Sequence, residues 1–203
     1  ENGCGKMNDF TKQALHEIKK LGATHIWYTG LIAHASQTDY TAYGIPKNHP
    51  SIVKGKAGSP YAIRDYYDID PDLTEHVDKR MEEFEHLVTR SHECGLKVIM
   101  DFVPNHVARQ YHSLAKPAGV KDLGENDDCS QDFNPQNNFY YIPGQKLAGE
   151  IDLYDPEQGN YEEMPAKATG NDRFDAWPNR NDWYETIKLN YGVDYLHHTG
   201  GHF

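Results

Sequence analysis

No apolar run in this 203-residue chain approaches the roughly 18 residues of a membrane-spanning helix, so no membrane span is expected. The first residues lack a charged segment followed by a hydrophobic stretch. That excludes a signal peptide within this sequence and leaves export of a longer precursor, secreted or periplasmic, open. Positive charge is in the minority: 20 Lys and Arg against 31 Asp and Glu give a formal charge of −11, with no basic block. A nucleic-acid backbone or an anionic membrane would be repelled, and a neutral or cationic ligand fits better. Cysteine is scarce. Cys4, Cys94 and Cys129 have no metal-type spacing and indicate no disulfide framework. His112, six residues after His106, lacks the i, i+4 spacing of helical zinc pairs. Asp127-Asp128 and Asp152/Asp155 read as solvated turns. Phenylalanine is outnumbered, seven against 14 Tyr and three Trp. That balance favours amphipathic aromatic surfaces, which suit sugars.

What is present has an α/β rhythm. Asn8 is a suitable N-cap, and Phe10, Ala14, Leu15, Ile18 and Leu21 follow at helical spacing until Gly22. Thr24 to Thr29 is β-branched and aromatic and stops at Gly30, which predicts a strand. From Gly30 to about Leu73 no period is sustained, so the segment reads as one long loop. Thr74 then caps a second helix, with Val77, Met81, Phe84, Leu87, Val88 and His92 on one stripe and Gly95 at its end. Lys97 to Val103, apolar except for Asp101, predicts a parallel strand covered on both faces and ended by Pro104. Helix, strand, helix, strand implies parallel strands joined by a right-handed crossover. Asp101, Asn105 and His106 gather at the C-terminal end of the last strand, where β/α folds keep their chemistry. Residues 104 to 203 read as an irregular, β-poor insertion with at most a turn near Asp182 to Ile187. They hold too many aromatics, Trp177 and Trp183 among them, for a disordered tail.

Three motifs bring a family resemblance. Asp101-Phe102-Val103-Pro104-Asn105-His106, the Tyr61 to Pro71 segment with Asp65-Tyr66-Tyr67 and Ile69-Asp70-Pro71, and Leu21-Gly22-Ala23-Thr24-His25-Ile26-Trp27 stand in matching order over roughly the first 110 residues. Together they resemble the α-amylase family of glycoside hydrolases, family 13. The resemblance implies a partial (β/α)8 TIM barrel over residues 1–104, carrying helix 1, strand 2, helix 2 and strand 3. A long irregular insertion, domain B, would occupy residues 105–203 after strand 3, with the chain ending before strand 4. It also implies roles. His106 would hydrogen-bond a hydroxyl of the sugar at the cleavage subsite, and Tyr61 would stack on that sugar's ring. Asp101 would be a supporting strand-end acid, Asp65 a supporting or loop-capping acid, and Asn105 a tie to domain B, in many members through calcium.

The family's two catalytic carboxylates belong to later strands, and no Gly-x-Arg-x-Asp nucleophile context occurs here. The resemblance therefore implies part of a retaining α-glucan hydrolase, acting on starch or maltooligosaccharides, that is inactive as this chain alone. Its alternative is a non-catalytic carbohydrate-binding protein on the same barrel. Ile187-Lys188-Leu189-Asn190-Tyr191 is the nearest match to the segment closing domain B. Lys188 falls where calcium-binding members carry an Asp ligand, and Asn190 replaces a second Asp. An ammonium cannot coordinate calcium, so Lys188 is expected to supply the positive charge itself, within ion-pair reach of domain B acids. Two barrel strands without neighbours would expose edges and an apolar face, which predicts self-association.

Overall fold

Thr11, not Asn8, starts the first helix. The computed structural model describes residues 5–197; the expectations that fall on Cys4 and on the Gly200-Gly201-His202-Phe203 end lie outside them. The Thr11 hydroxyl accepts from the Ala14 N–H at 3.2 Å and opens α1 (Lys12–Lys20). Asn8 lies in a preceding 3-10 turn, Met7–Asp9, and gives its amide to Glu75 at 2.9 Å. Leu15 of α1 is fully buried against Cys94 and Leu96. Burial of one such side chain stabilises by about 1.5–3 kcal/mol.

After β1 (His25–Tyr28), the segment expected to be one loop contains β2 (Ile32–His34) and β3 (Ile63–Ile69), which pair antiparallel. Irregularities on both sides of Ala33 break the register, and Tyr66-Tyr67-Asp68 interrupts alternation, so no two-residue period shows in the sequence. Asp70, 1% exposed, pins the turn after β3: one oxygen accepts from Asp72 N at 2.9 Å, the other from His34 N at 3.0 Å.

The second helix, α2 (Arg80–Glu93), begins later than Thr74. Thr74 gives its hydroxyl to Pro71 O at 2.9 Å, while the Glu83 carboxylate takes the N–H groups of Glu75 and His76 at 3.0 and 2.7 Å. The buried face shifts accordingly. Val77 precedes the helix and Met81 is 40% exposed, whereas Glu83, Leu87 and Ser91, at i, i+4, i+8, point inward. Leu87 packs with Met7, Tyr28, Leu31 and Ile69, and Ser91 Oγ meets Tyr28 Oη at 3.0 Å.

α2 leads to β4 (Lys97–Met100), parallel to β1 from His25↔Lys97 to Tyr28↔Met100, so helix and strands form the expected β/α unit. The strand is shorter than the run to Val103. Burial on both faces is not found: Ile99, Met100 and Phe102 are 45%, 41% and 68% exposed. A parallel pair is covered only when further strands and helices flank it, and among the described residues no closed barrel is present.

Beyond β4 no helix occurs among the described residues. β5 (His106–Ala108) pairs antiparallel with the last strand, while β6 (Tyr141–Ile142), β7 (Tyr154–Asp155), β8 (Gly159–Asn160) and β9 (Ala166–Lys167) form two small hairpin-like pairs, β6 with β9 and β7 with β8. The last strand is β10 (Thr186–Lys188). The turn expected near 182–187 is closed by Thr186 N on Trp183 O at 2.9 Å, after which the chain is strand. Asp127 is more than a solvated turn, because its carboxylate accepts from Asn138 N, Phe139 N and Tyr141 Oη at 2.8–3.0 Å. The segment after β4, here called the insertion, has its own cores. Val107, Phe139, Tyr141, Ile187 and Leu189 form one, and Ile52 from the long loop joins Ile142, Leu147, Tyr161, Ala166 and Ala176 in another. No helix of the described residues is long and apolar enough to cross a membrane.

Candidate functional site

After β4 the chain runs through Pro104 into β5, which pairs with β10 in the register Lys188↔His106. That register sets Lys188 beside Asn105. The Lys188 ammonium lies 3.5 Å from Asn105 Oδ1 and ion-pairs with Asp172. The Asn105 amide nitrogen is 2.8 Å from Gly170 O and 2.9 Å from His106 Nδ1. Oxygen toward the ammonium and nitrogen toward the carbonyl is the chemically consistent orientation. Nδ1 of His106 is then an acceptor, so the neutral ring carries its proton on Nε2. Gly170 permits the approach: a Cβ there would stand 2.5 Å from Thr186 Oγ1 and 2.8 Å from the His106 ring.

His106, 7% exposed, lines a cavity of about 310 Å3 with Ser59, Tyr61, Val103, Trp183, Glu185 and Thr186. Tyr61 is 48% exposed, and the His106 ring hydrogen-bonds its main chain. The Trp183 ring sits 5.3 Å from His106, centroid to centroid. Burial lowers the pKa of His106 and outweighs the Tyr61 main-chain bond, with the Lys188 charge adding to the lowering. The imidazole is therefore neutral at pH 7. Because its folded pKa lies below the unfolded 6.5, its contribution to stability is full above 6.5 and is lost as pH falls through the folded value. His34 works oppositely: burial opposes its charge, but the Asp70 carboxylate at 2.8 Å outweighs burial and raises its pKa, so its contribution fades as pH rises past 6.5. Thermal melts from pH 7.5 to 5.5 should show His106→Gln losing less stability on acidification than the unmodified chain, and His34→Gln losing more. Identical pH slopes for all three would contradict this assignment.

The other candidates are placed apart from the cavity. Asp65, 2% exposed, accepts from Tyr67 N at 2.9 Å and Ser113 Oγ at 2.6 Å on one oxygen, and from Leu114 N at 2.8 Å on the other. It ties β3 to the insertion. Asp101 accepts from Trp27 Nε1 at 2.5 Å across the parallel pair, and its other oxygen is buried without a hydrogen bond. Asn190 holds the chain after β10 through Asn134 O at 2.9 Å and Gly192 N at 2.8 Å.

Residues 1–189 match the family model of the alpha amylase catalytic domain. The chain belongs to the α-amylase family. Maltase A1 of Drosophila melanogaster is 25% identical over 197 residues, which cover 97% of this chain and 25% of that protein. The human amino acid transporter heavy chain SLC3A1 is 39% identical over 91 residues, 41% of this chain and 13% of that one. Among solved structures, the native form of the Nostoc punctiforme debranching enzyme aligns with a TM-score of 0.50 at 22% identity, covering 92% of this chain and 27% of that chain, a likeness of fold. The chain thus spans about a quarter or less of the length of the curated relatives named here. Within this α-amylase-family chain, Trp183 and Glu185 escaped the sequence reading, because nothing in the irregular insertion shows which of its many aromatics and acids reach strand ends eighty residues earlier.

Proposed function

We propose that this chain is the sugar-holding part of a retaining α-glucan hydrolase acting on starch or maltooligosaccharides. The observation that carries the reading is one cavity shared by Tyr61, His106 and Trp183, which offers a half-exposed ring for stacking and a neutral imidazole with its proton on Nε2. A ring face matches the apolar face of a pyranose, and a sugar hydroxyl reaching His106 would share or take over the imidazole N–H that the Tyr61 main chain now engages. Cleavage needs a carboxylate nucleophile and acid about 5–5.5 Å apart. With no Gly-x-Arg-x-Asp in the sequence, this chain alone binds without cutting. Calcium does not fit beside Asn105, because the Lys188 ammonium already faces Oδ1 and offers no oxygen ligand.

Titration with maltotriose tests the reading. Tyr61→Ala and His106→Ala should each weaken binding about tenfold or more, the loss expected when a central contact worth on the order of 1.4 kcal/mol is removed, with no release of reducing sugar by the chain itself. Unchanged affinity in both variants, or hydrolysis that tracks the purified chain, would contradict it. A second reading, a non-catalytic carbohydrate-binding protein on the same barrel, would use the same Tyr61–His106 cavity. Assay of the whole protein for maltooligosaccharide hydrolysis separates the two.

A further inference from the structure

A second cleft, about 480 Å3, opens where the loop around Pro50 to Gly55 meets the insertion, lined among others by Lys54, Asp152, Tyr154, Asp155, Arg180 and Tyr184. Its volume lies within the roughly 300–1,000 Å3 of small-molecule sites. The segments beside it are cross-braced. Lys47 pairs with Glu157 at 3.1 Å, His49 Nε2 reaches Gly159 O at 3.2 Å, and Gln158 donates to Asn48 O at 3.3 Å. Lys54 donates to Asp182 O at 2.7 Å and lies 4.9 Å over the Tyr184 ring. Such bracing sets the shape before a ligand arrives, which lowers the ordering cost of binding.

The groups facing the cleft are unsaturated. Tyr154 is 59% exposed, and Arg180 has no hydrogen-bond or ion-pair partner among the described residues. Asp152 uses one oxygen to accept from Tyr154 N at 3.1 Å, and Asp155 one oxygen to accept from Glu157 N and Gln158 N at 3.0 and 2.9 Å. Their second oxygens are free to accept. Lys54 is 3.2 Å from Glu185, whose Oε2 is buried and makes no directional hydrogen bond. Glu185 also lines the Tyr61–His106 cavity, so the two cavities back onto one ion pair.

These groups select a ligand class. With Lys54 neutralised by Glu185, a phosphate would find one guanidinium against two carboxylates, and a cation would meet Arg180. An apolar ligand would strip water from three charges without replacing it. Hydroxyl groups both donate and accept, so a neutral sugar satisfies carboxylates and guanidinium together while its ring lies on Tyr154. We propose that this cleft is a second saccharide site, with Tyr154 as the platform and Asp152 and Arg180 as hydroxyl partners. The choice of an α-glucan as its ligand rests on the reading of the Tyr61–His106 cavity.

Maltotriose titration followed by NMR tests it, reading the Arg180 Nε–H signal and the His106 ring signals in the same sample. In the Tyr61→Ala variant the Arg180 signal should still shift saturably. Tyr154→Ala, an exposed position, and Arg180→Gln should each weaken that residual binding about tenfold. An Arg180 signal that does not move, a Tyr154→Ala variant of unchanged residual affinity, or tighter binding of inorganic phosphate than of maltotriose would overturn the proposal. A moving Arg180 signal beside silent His106 signals would instead remove the reading of the first cavity and keep this one.

Discussion

Replacing Arg109 with Ala is expected to cost about 3–5 kcal/mol, the usual penalty for breaking a buried ion pair on one side. For a chain of this size that is a fall in melting temperature of about 10 °C. The Arg109 side chain is 0% exposed and that of Glu163 4%, and they meet at 2.6 Å. Neither group is short of partners. Glu163 also accepts from Lys167 N at 2.9 Å and Tyr161 Oη at 3.0 Å, while Arg109 donates to Tyr184 O and, at 3.4 Å, to Lys167 O. One guanidinium thus joins the end of β5, β9 and the segment leading into β10. Arg109→Ala leaves the Glu163 carboxylate buried with two hydrogen bonds and, for its charge, only the Lys167 ammonium 3.9 Å away. The double variant Arg109→Met with Glu163→Leu removes both charges and should recover most of the loss. Thermal and urea unfolding of the single and double variants check this. A single variant within about 1 kcal/mol of the unmodified chain would show that the pair contributes little.

The same pair shows how much of the molecule the sequence discloses. α1, α2, β1 and β4 are legible because helical spacing and glycine stops are local signals, and Gly22 and Gly95 do turn at positive φ. Helix starts shift by a few residues: Thr11 caps α1 in place of Asn8, and the Glu83 carboxylate holds the Glu75 and His76 N–H groups ahead of α2, which begins at Arg80. β2 and β3 are hidden by bulges. The insertion is hidden for a different reason: its strands are two or three residues long, and its order comes from side chains such as Asp127, Asp65 and Arg109 reaching backbone far along the chain. Of the candidate site, Tyr61, His106, Asn105 and Lys188 are legible through motif resemblance. Trp183, Glu185 and Arg180 are visible only once β10 has been laid against β5.

Exchanging Lys188 for Asp is expected to make an indifferent protein calcium-dependent. The Lys188 side chain is 8% exposed, bonded to Asn105 Oδ1 and paired with Asp172. Without calcium, Lys188→Asp would put a second carboxylate beside Asp172 and two oxygens against Asn105 Oδ1. An uncompensated charge in so dry a place costs about 3–5 kcal/mol. Millimolar calcium should restore much of that, because Asp, Asn105 Oδ1 and Asp172 are the hard oxygen donors the ion needs. Lys188→Met separates charge from coordination. It leaves Asp172, 61% exposed on its side chain, free to turn to water, but it removes the cation that orients the Asn105 amide. The Asn105 amide is then oriented by Gly170 O alone, which loosens its hold on His106 Nδ1 and so on the ring's tautomer. Maltotriose affinity should then fall about tenfold, the effect of about 1.4 kcal/mol, while calcium changes neither melting nor binding. Calorimetry of the unmodified protein decides the premise: a tight, Asn105-dependent calcium isotherm would mean that the ammonium yields its place to the metal.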